Sequence, residues 1–173
     1  MITTPEGTFA GQQMVATLRA FHAPLRNDVA ALRQALDELS QAVVDVEHAD
    51  VLIQGLTTAD LAWQLRSGCQ WYCSALEGHH GIEDTRMLPV MEREFPQLRP
   101  HIKKLRRQHE DVLDLLQAVV RASRSMSVDR PETILTVRDL VTELADALQE
   151  HLDLEEDTLF PYFLQMDRDW HHG

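Results

Sequence analysis

Apolar residues recur at every third or fourth position along four stretches of the chain, the period of helices with one buried face. Met14, Leu18, Leu25, Val29, Leu32 and Leu36 mark the first stretch and predict a helix over about residues 10–47. Pro24 falls inside it and removes one backbone hydrogen bond, so a kink is expected beside His22. A break over residues 48–56 follows, after which Thr57 or Thr58 suits an N-cap. The second stretch carries Leu61, Leu65, Tyr72, Leu76 and Met87 on one face. Pro89 is expected to kink or end that helix, with a short extension to Glu94. Ile102, Leu105, Val112, Leu116 and Val119 predict a third helix ending near Ser123. The polar loop SRSMSVD leads to Pro131, which suits the first position of a fourth helix carrying Leu140, Leu144, Leu148 and Leu159. Pro161 is expected to end or bend this last helix, with a frayed tail over 166–173.

Seven glycines and seven prolines in 173 residues leave these patterns nearly uninterrupted. The expected fold is all-α, an up-down-up-down four-helix bundle in a single domain over residues 1–173, with its core at about 10–165. No apolar run approaches the ~20 residues of a membrane span. The N-terminal MITTPEGTFAGQQ lacks the basic start and apolar segment of a signal peptide, so a cytoplasmic location is expected. A net charge of −12 argues against nucleic acid as a partner, because that affinity depends on clustered Lys and Arg. The one basic run, KKLRR at 103–107, reads as a solvated helix face. Cys69 and Cys73 read as inert buried thiols.

Histidines stand in line with the apolar residues, one per helix: His22, His79, His109 and His151. Two of them open matched blocks, HHGIEDTRMLP at 79–89 and HLDLEEDTLFP at 151–161, offset by 72 residues throughout. His79 matches His151, Glu83 matches Glu155, Asp84 matches Glu156, and Pro89 matches Pro161. Residues four apart share a helix face, so each block sets an imidazole beside a carboxylate. With nine histidines, one or two such His-to-acid pairs arise by chance, and the matched repeat is what carries the signal. Glu83 and His109 each lie 13 residues from Pro96, which places them at one level; the match across the loop to the fourth helix is looser by about five residues, or ~7 Å. Burying two carboxylates among four imidazoles costs several kcal/mol unless cations offset it. Metal ions resolve that conflict. His80 and Asp84 lie about 100° round the helix from His79 and Glu83, and are expected to be solvated or outside the ligand set. Glu156 has the same standing, although its five-residue spacing from His151 lets it compete with Glu155. His48, His101, His171 and His172 read as surface residues.

Mixed imidazole and carboxylate donors without thiolate suit iron, manganese or zinc. A ferritin-like site needs Glu-x-x-His on two helices, and Glu77–His80 is the only such pair. With these residues assembled, the sequence resembles the hemerythrin family, whose bacterial form is the HHE cation-binding domain. The matching residues are His22 in FHAPLR, His79 and Glu83 in HHGIED, His109 in RRQHEDV, and His151 and Glu155 in EHLDLEE, over about residues 10–165. The resemblance implies a bundle holding two iron ions with an oxo or hydroxo bridge, and Glu83 and Glu155 as bridging carboxylates. Oxygen-carrying members have a second His four residues away on the third helix, where this chain has Leu105 and Leu113 beside His109. Four imidazoles leave two coordination positions open, against one in a five-His site. That favours reaction with small oxidants, above all hydrogen peroxide removal of the catalase or peroxidase kind. The alternatives are reversible O2 or NO binding or sensing, iron storage or delivery, and a biosynthetic oxygenase. Tyr72, two turns before His79 on the same face, is a candidate catalytic residue. It stands open as a ligand, as a hydrogen-bond donor to bound peroxide, or as a packed core tyrosine.

Overall fold

Four helical segments carry the chain in the computed structural model, which describes residues 7–44, 71–127 and 129–168. Helix α1 spans Phe9–Val44. Helix α2 covers 71–94: α-helical to residue 82, a π-helical turn over Glu83–Met87, then α-helical again over Leu88–Glu94. A 3-10 turn at Pro96–Leu98 leads into α3, Arg99–Ser123, and α4 spans Pro131–Phe163. The expected break at 48–56, the caps at Thr57 and Thr58, and the start of the second helix lie outside the described residues. No helix among the described residues is long and apolar enough to cross a membrane.

Short connections make α2 and α3, then α3 and α4, antiparallel neighbours. The N-terminal end of α1 meets the C-terminal end of α4, where Thr8 N–H donates to the Leu164 carbonyl at 3.0 Å. Further along, Arg33 reaches Asp146 at 3.5 Å, so these two helices also run antiparallel. Tyr72 donates to the Leu25 carbonyl while Met87 packs in one cluster with Met14 and Leu18, which sets α2 antiparallel to α1. The bundle is therefore all-α and up-down-up-down. Gly11 permits the tightest of these approaches: a Cβ there would stand 2.2 Å from the Phe163 carbonyl oxygen. Met166 is buried and its carbonyl accepts the Thr8 hydroxyl, so packing continues into the segment expected to fray.

The prolines act differently from one another. Pro24 sits within an unbroken α1, and Pro161 within an α4 that continues to Phe163. Pro89 neither ends nor breaks α2. In a regular α-turn its ring would collide with the carbonyl of Thr85. The chain instead widens by one residue, and Leu88 N–H bonds the Glu83 carbonyl five residues back. Before α4, the described residues 124–127 and 129–130 are tied to one another and to the start of that helix. Met126 is buried there, Ser127 N–H donates to Thr133 Oγ1 at 3.0 Å, and Arg130 Nη2 donates to the Ser125 carbonyl at 2.9 Å.

Two apolar clusters fill the bundle. One holds Leu25, Leu76, Val112 and Leu148, and the other holds Leu18, Met87, Leu105 and Leu159. Every helix passes from one cluster to the other, and the residues it carries between them form a polar layer. Leu18 and Leu25 bracket His22, Leu105 and Val112 bracket His109, and Leu148 and Leu159 bracket His151 and Glu155.

Candidate metal centre

The polar layer brings together five histidines and two glutamates. His22, His80, His109, His151, Glu83 and Glu155 are buried, and the His79 side chain is nearly so. Their donor atoms fall into two groups, each with all its atoms within 4.8 Å of one another. The first is His22, His79, Glu83 and Glu155; the second is His80, Glu83, His109 and His151. Glu83 belongs to both. Its Oε1 lies 3.0 Å from His79 Nε2 and its Oε2 lies 3.5 Å from His109 Nε2. Glu155 Oε2 lies 3.4 Å from His22 Nε2 and 3.8 Å from His151 Nε2.

None of these contacts has hydrogen-bond geometry. The Nε2 atoms of His22, His79, His80, His109 and His151, and both oxygens of Glu83 and Glu155, are buried without a partner. An unsatisfied buried polar atom costs about 1–3 kcal/mol, and more when charged. Unpartnered lone pairs converging on two points are what a pair of cations requires, so the donor set fits two metal ions.

The second acid of each repeat holds an imidazole from another helix. Glu156 Oε1 accepts from His22 Nδ1–H at 2.9 Å, and Asp84 Oδ1 accepts from His109 Nδ1–H at 3.0 Å. Each contact assigns the proton to Nδ1 and turns the Nε2 lone pair inward, the arrangement that orients metal-bound histidine. Arg26 backs Glu156 at 2.6 Å and Asp153 at 2.9 Å; burial opposes the Glu156 charge, but Arg26 and His22 outweigh it and hold the carboxyl below its usual range. Neither Asp84 nor Glu156 falls in either donor group.

Without metal, the layer distributes protons unevenly. Burial opposes a charge on His22, but Glu155, Glu83 and Glu156 outweigh it and push its pKa up to about 10. Burial, reinforced by His109 and His151, pushes His80 down to about 2. Burial and His109 push His151 down to about 3. Burial and the nearby Glu83 charge lift Glu155 to about 7. Glu83 is held below the usual carboxylate range because His22 and His79 outweigh its burial.

His80 is not solvated. Expected to be solvated or outside the ligand set, it is 6% exposed, stacked on His109 at 4.1 Å between centroids and set edge-on to His151 at 5.0 Å. The sequence left this open. With His79 as origin and about 100° per residue, Tyr72, Leu76 and Glu83 project at roughly 20°, 60° and 40°. These directions average about 40°, so an apolar stripe about 100° wide ends near 90° and leaves His80, at about 100°, on its border. Substituting His80 by Ala is expected to weaken metal binding more than about 100-fold, beyond the 10–100-fold typical of losing an orienting partner. Metal titration beside His109→Ala checks this, and a His80 variant that loads like the parent would remove it from the ligands.

Tyr72 points elsewhere. Its hydroxyl donates to the Leu25 carbonyl at 3.1 Å within the first apolar cluster, and burial raises its pKa further. The packed-core reading is the one this geometry supports. Cys73 is half-buried, and burial together with Glu77 pushes its thiol up to about 11, which makes it a poor nucleophile; Cys69 lies outside the described residues. Lys103, Lys104 and Arg107 are exposed, as is His101, whereas His48, His171 and His172 lie outside the described residues.

Among known proteins, the family model of the hemerythrin HHE cation-binding domain matches residues 13–163. No curated protein and no solved structure matches the chain.

Proposed function

Because the chain belongs to the hemerythrin HHE cation-binding family, we propose that it holds two iron ions and takes up O2 or NO reversibly. The observation that carries this is the convergence of five unpartnered Nε2 atoms and four unpartnered carboxylate oxygens in two groups sharing Glu83. His22, His79, Glu83 and Glu155 would hold one ion, and His80, Glu83, His109 and His151 the other, with Glu155 leaning toward the second through its 3.8 Å approach to His151. When bound, the ion pair, with an oxo or hydroxo bridge, supplies an exchangeable coordination position and the redox change that such a ligand needs. Manganese or zinc also fits the donors, but zinc brings no redox chemistry.

His80 changes the balance among the readings. Its imidazole stacks beside His109, so α2 supplies the fifth imidazole that α3 lacks at Leu105 and Leu113. With His80 as a ligand, one position would stay open instead of two. Hydrogen peroxide removal rested on the second vacancy and loses that support. The chain's own contribution is to fix the imidazole tautomers through Glu156 and Asp84 and to set an apolar cluster on either side of the layer along the bundle.

Iron analysis with an optical spectrum of the loaded protein, followed by cycles of argon, O2 and NO, tests the reading. A spectrum that changes with gas and returns on its removal is expected, with no O2 release from added peroxide beyond that of free iron. Sustained peroxide turnover, or a spectrum indifferent to gas, would overturn it.

A further inference from the structure

Between α1 and α2 an apolar cavity of about 520 Å³ runs from the surface to the edge of the polar layer, where His79 and Glu83 form part of its wall. Small-molecule pockets span about 300–1,000 Å³, so this is far more room than a diatomic gas needs. Small residues, Ala20 on α1 and Ala75 and Gly78 on α2, form part of a wall that is otherwise mostly large and apolar. A Cβ at Gly78 would meet nothing within 4 Å. Glycine inside a helix costs about 1 kcal/mol relative to alanine, and no neighbouring atom requires it here, so the helix forgoes stability at a position that keeps the cavity wide. Large apolar side chains flank the mouth: Phe21 is 57% and Trp71 65% exposed, and the Phe21 ring stacks on His79 at 6.0 Å. Among the described residues the lining contains no Lys or Arg, and its only acids are Asp28 and Glu83. An anion would meet like charge with nothing to offset it, whereas an amine end could lie over Trp71 or Phe21.

We propose that this cavity binds an apolar organic molecule, neutral or amine-bearing and not anionic, with its inner end against His79 and Glu83. Binding stands whether or not the centre holds iron; any use of the bound molecule by the centre rests on the metal reading above.

The test uses the full chain, iron-loaded and metal-free, with the neutral fluorescent probe N-phenyl-1-naphthylamine. Saturable binding is expected in both forms. Dodecanol and dodecylamine should displace the probe, and dodecanoate should do so at least about tenfold more weakly. Gly78→Phe fills the cavity from α2 and Ala20→Phe from α1, so one remains informative if the other does not fold. Each is expected to weaken the probe about tenfold or more while metal content holds. Unchanged probe binding in the folded variants, or dodecanoate competing as well as dodecanol, would overturn the proposal. So would a dimer in sedimentation that the filled variants dissociate, which would assign the face to a second copy of the chain. A protein that takes up no iron on loading but still binds the probe would sink the metal reading and leave the cavity standing.

Discussion

Replacing Glu83 by Gln is expected to remove most of the bound metal from both positions, while Glu155→Gln removes mainly one. Glu83 is the carboxylate present in both donor groups, with one oxygen 3.0 Å from His79 and the other 3.5 Å from His109. Glutamine preserves its shape but loses the charge that offsets two cations and one of the two oxygens that ligate. Metal content after loading should fall from about two ions per chain to well below one in the Glu83 variant, and to about one in the Glu155 variant. Circular dichroism on the same samples confirms that the helices remain. Equal losses in the two variants would show that Glu155 is shared as fully as Glu83, the symmetric bridge the family resemblance implies. Retention of both ions in Glu83→Gln would refute the shared role altogether.

Stripping the metal should lower Tm by roughly 10 °C. A ligand present at a thousandfold its Kd contributes about 4 kcal/mol to the folded state. For a chain of this size, each kcal/mol moves Tm by about 2–4 °C. The physical source is the layer itself, where unpartnered nitrogens and carboxylate oxygens are buried at 0–6% exposure, His79 being slightly more open. Metal-free protein bears that cost and should still fold, because the apolar clusters on both sides of the layer do not depend on the ions. Scanning calorimetry before and after chelation, with recovery on adding iron back, measures the shift. An unchanged Tm would mean that the polar layer is satisfied without cations.

Much of this was legible beforehand. His22, His109 and His151 announce themselves because each interrupts a line of leucines and valines. Glu83 and Glu155 do so because the same block occurs twice at one offset. His80 lies on the border of the face marked by Tyr72, Leu76 and Glu83, where the pattern alone does not decide between burial and exposure. Pro89 was expected to stop or bend the second helix, and a π-helical turn absorbed it at the position that carries Glu83. Nothing local in the sequence distinguishes a proline that ends a helix from one that widens it; the packing of Met87, Leu88 and Met91 in the second cluster holds the helix together past that point.

The sequence by itself determined four helices, a polar layer at one level of the bundle, and the chemical type of the donors. These follow from periodicity and spacing, which are properties of each helix alone. Only the tertiary structure decided the rotation of α2 that brings His80 in beside His79. It also paired Glu156 with His22 and Asp84 with His109, made Glu83 common to both donor groups, and left a cavity between α1 and α2. Those features depend on how side chains from different helices interlock. A helix can turn by tens of degrees about its axis without changing its own hydrogen bonds, so the choice among those rotations belongs to packing.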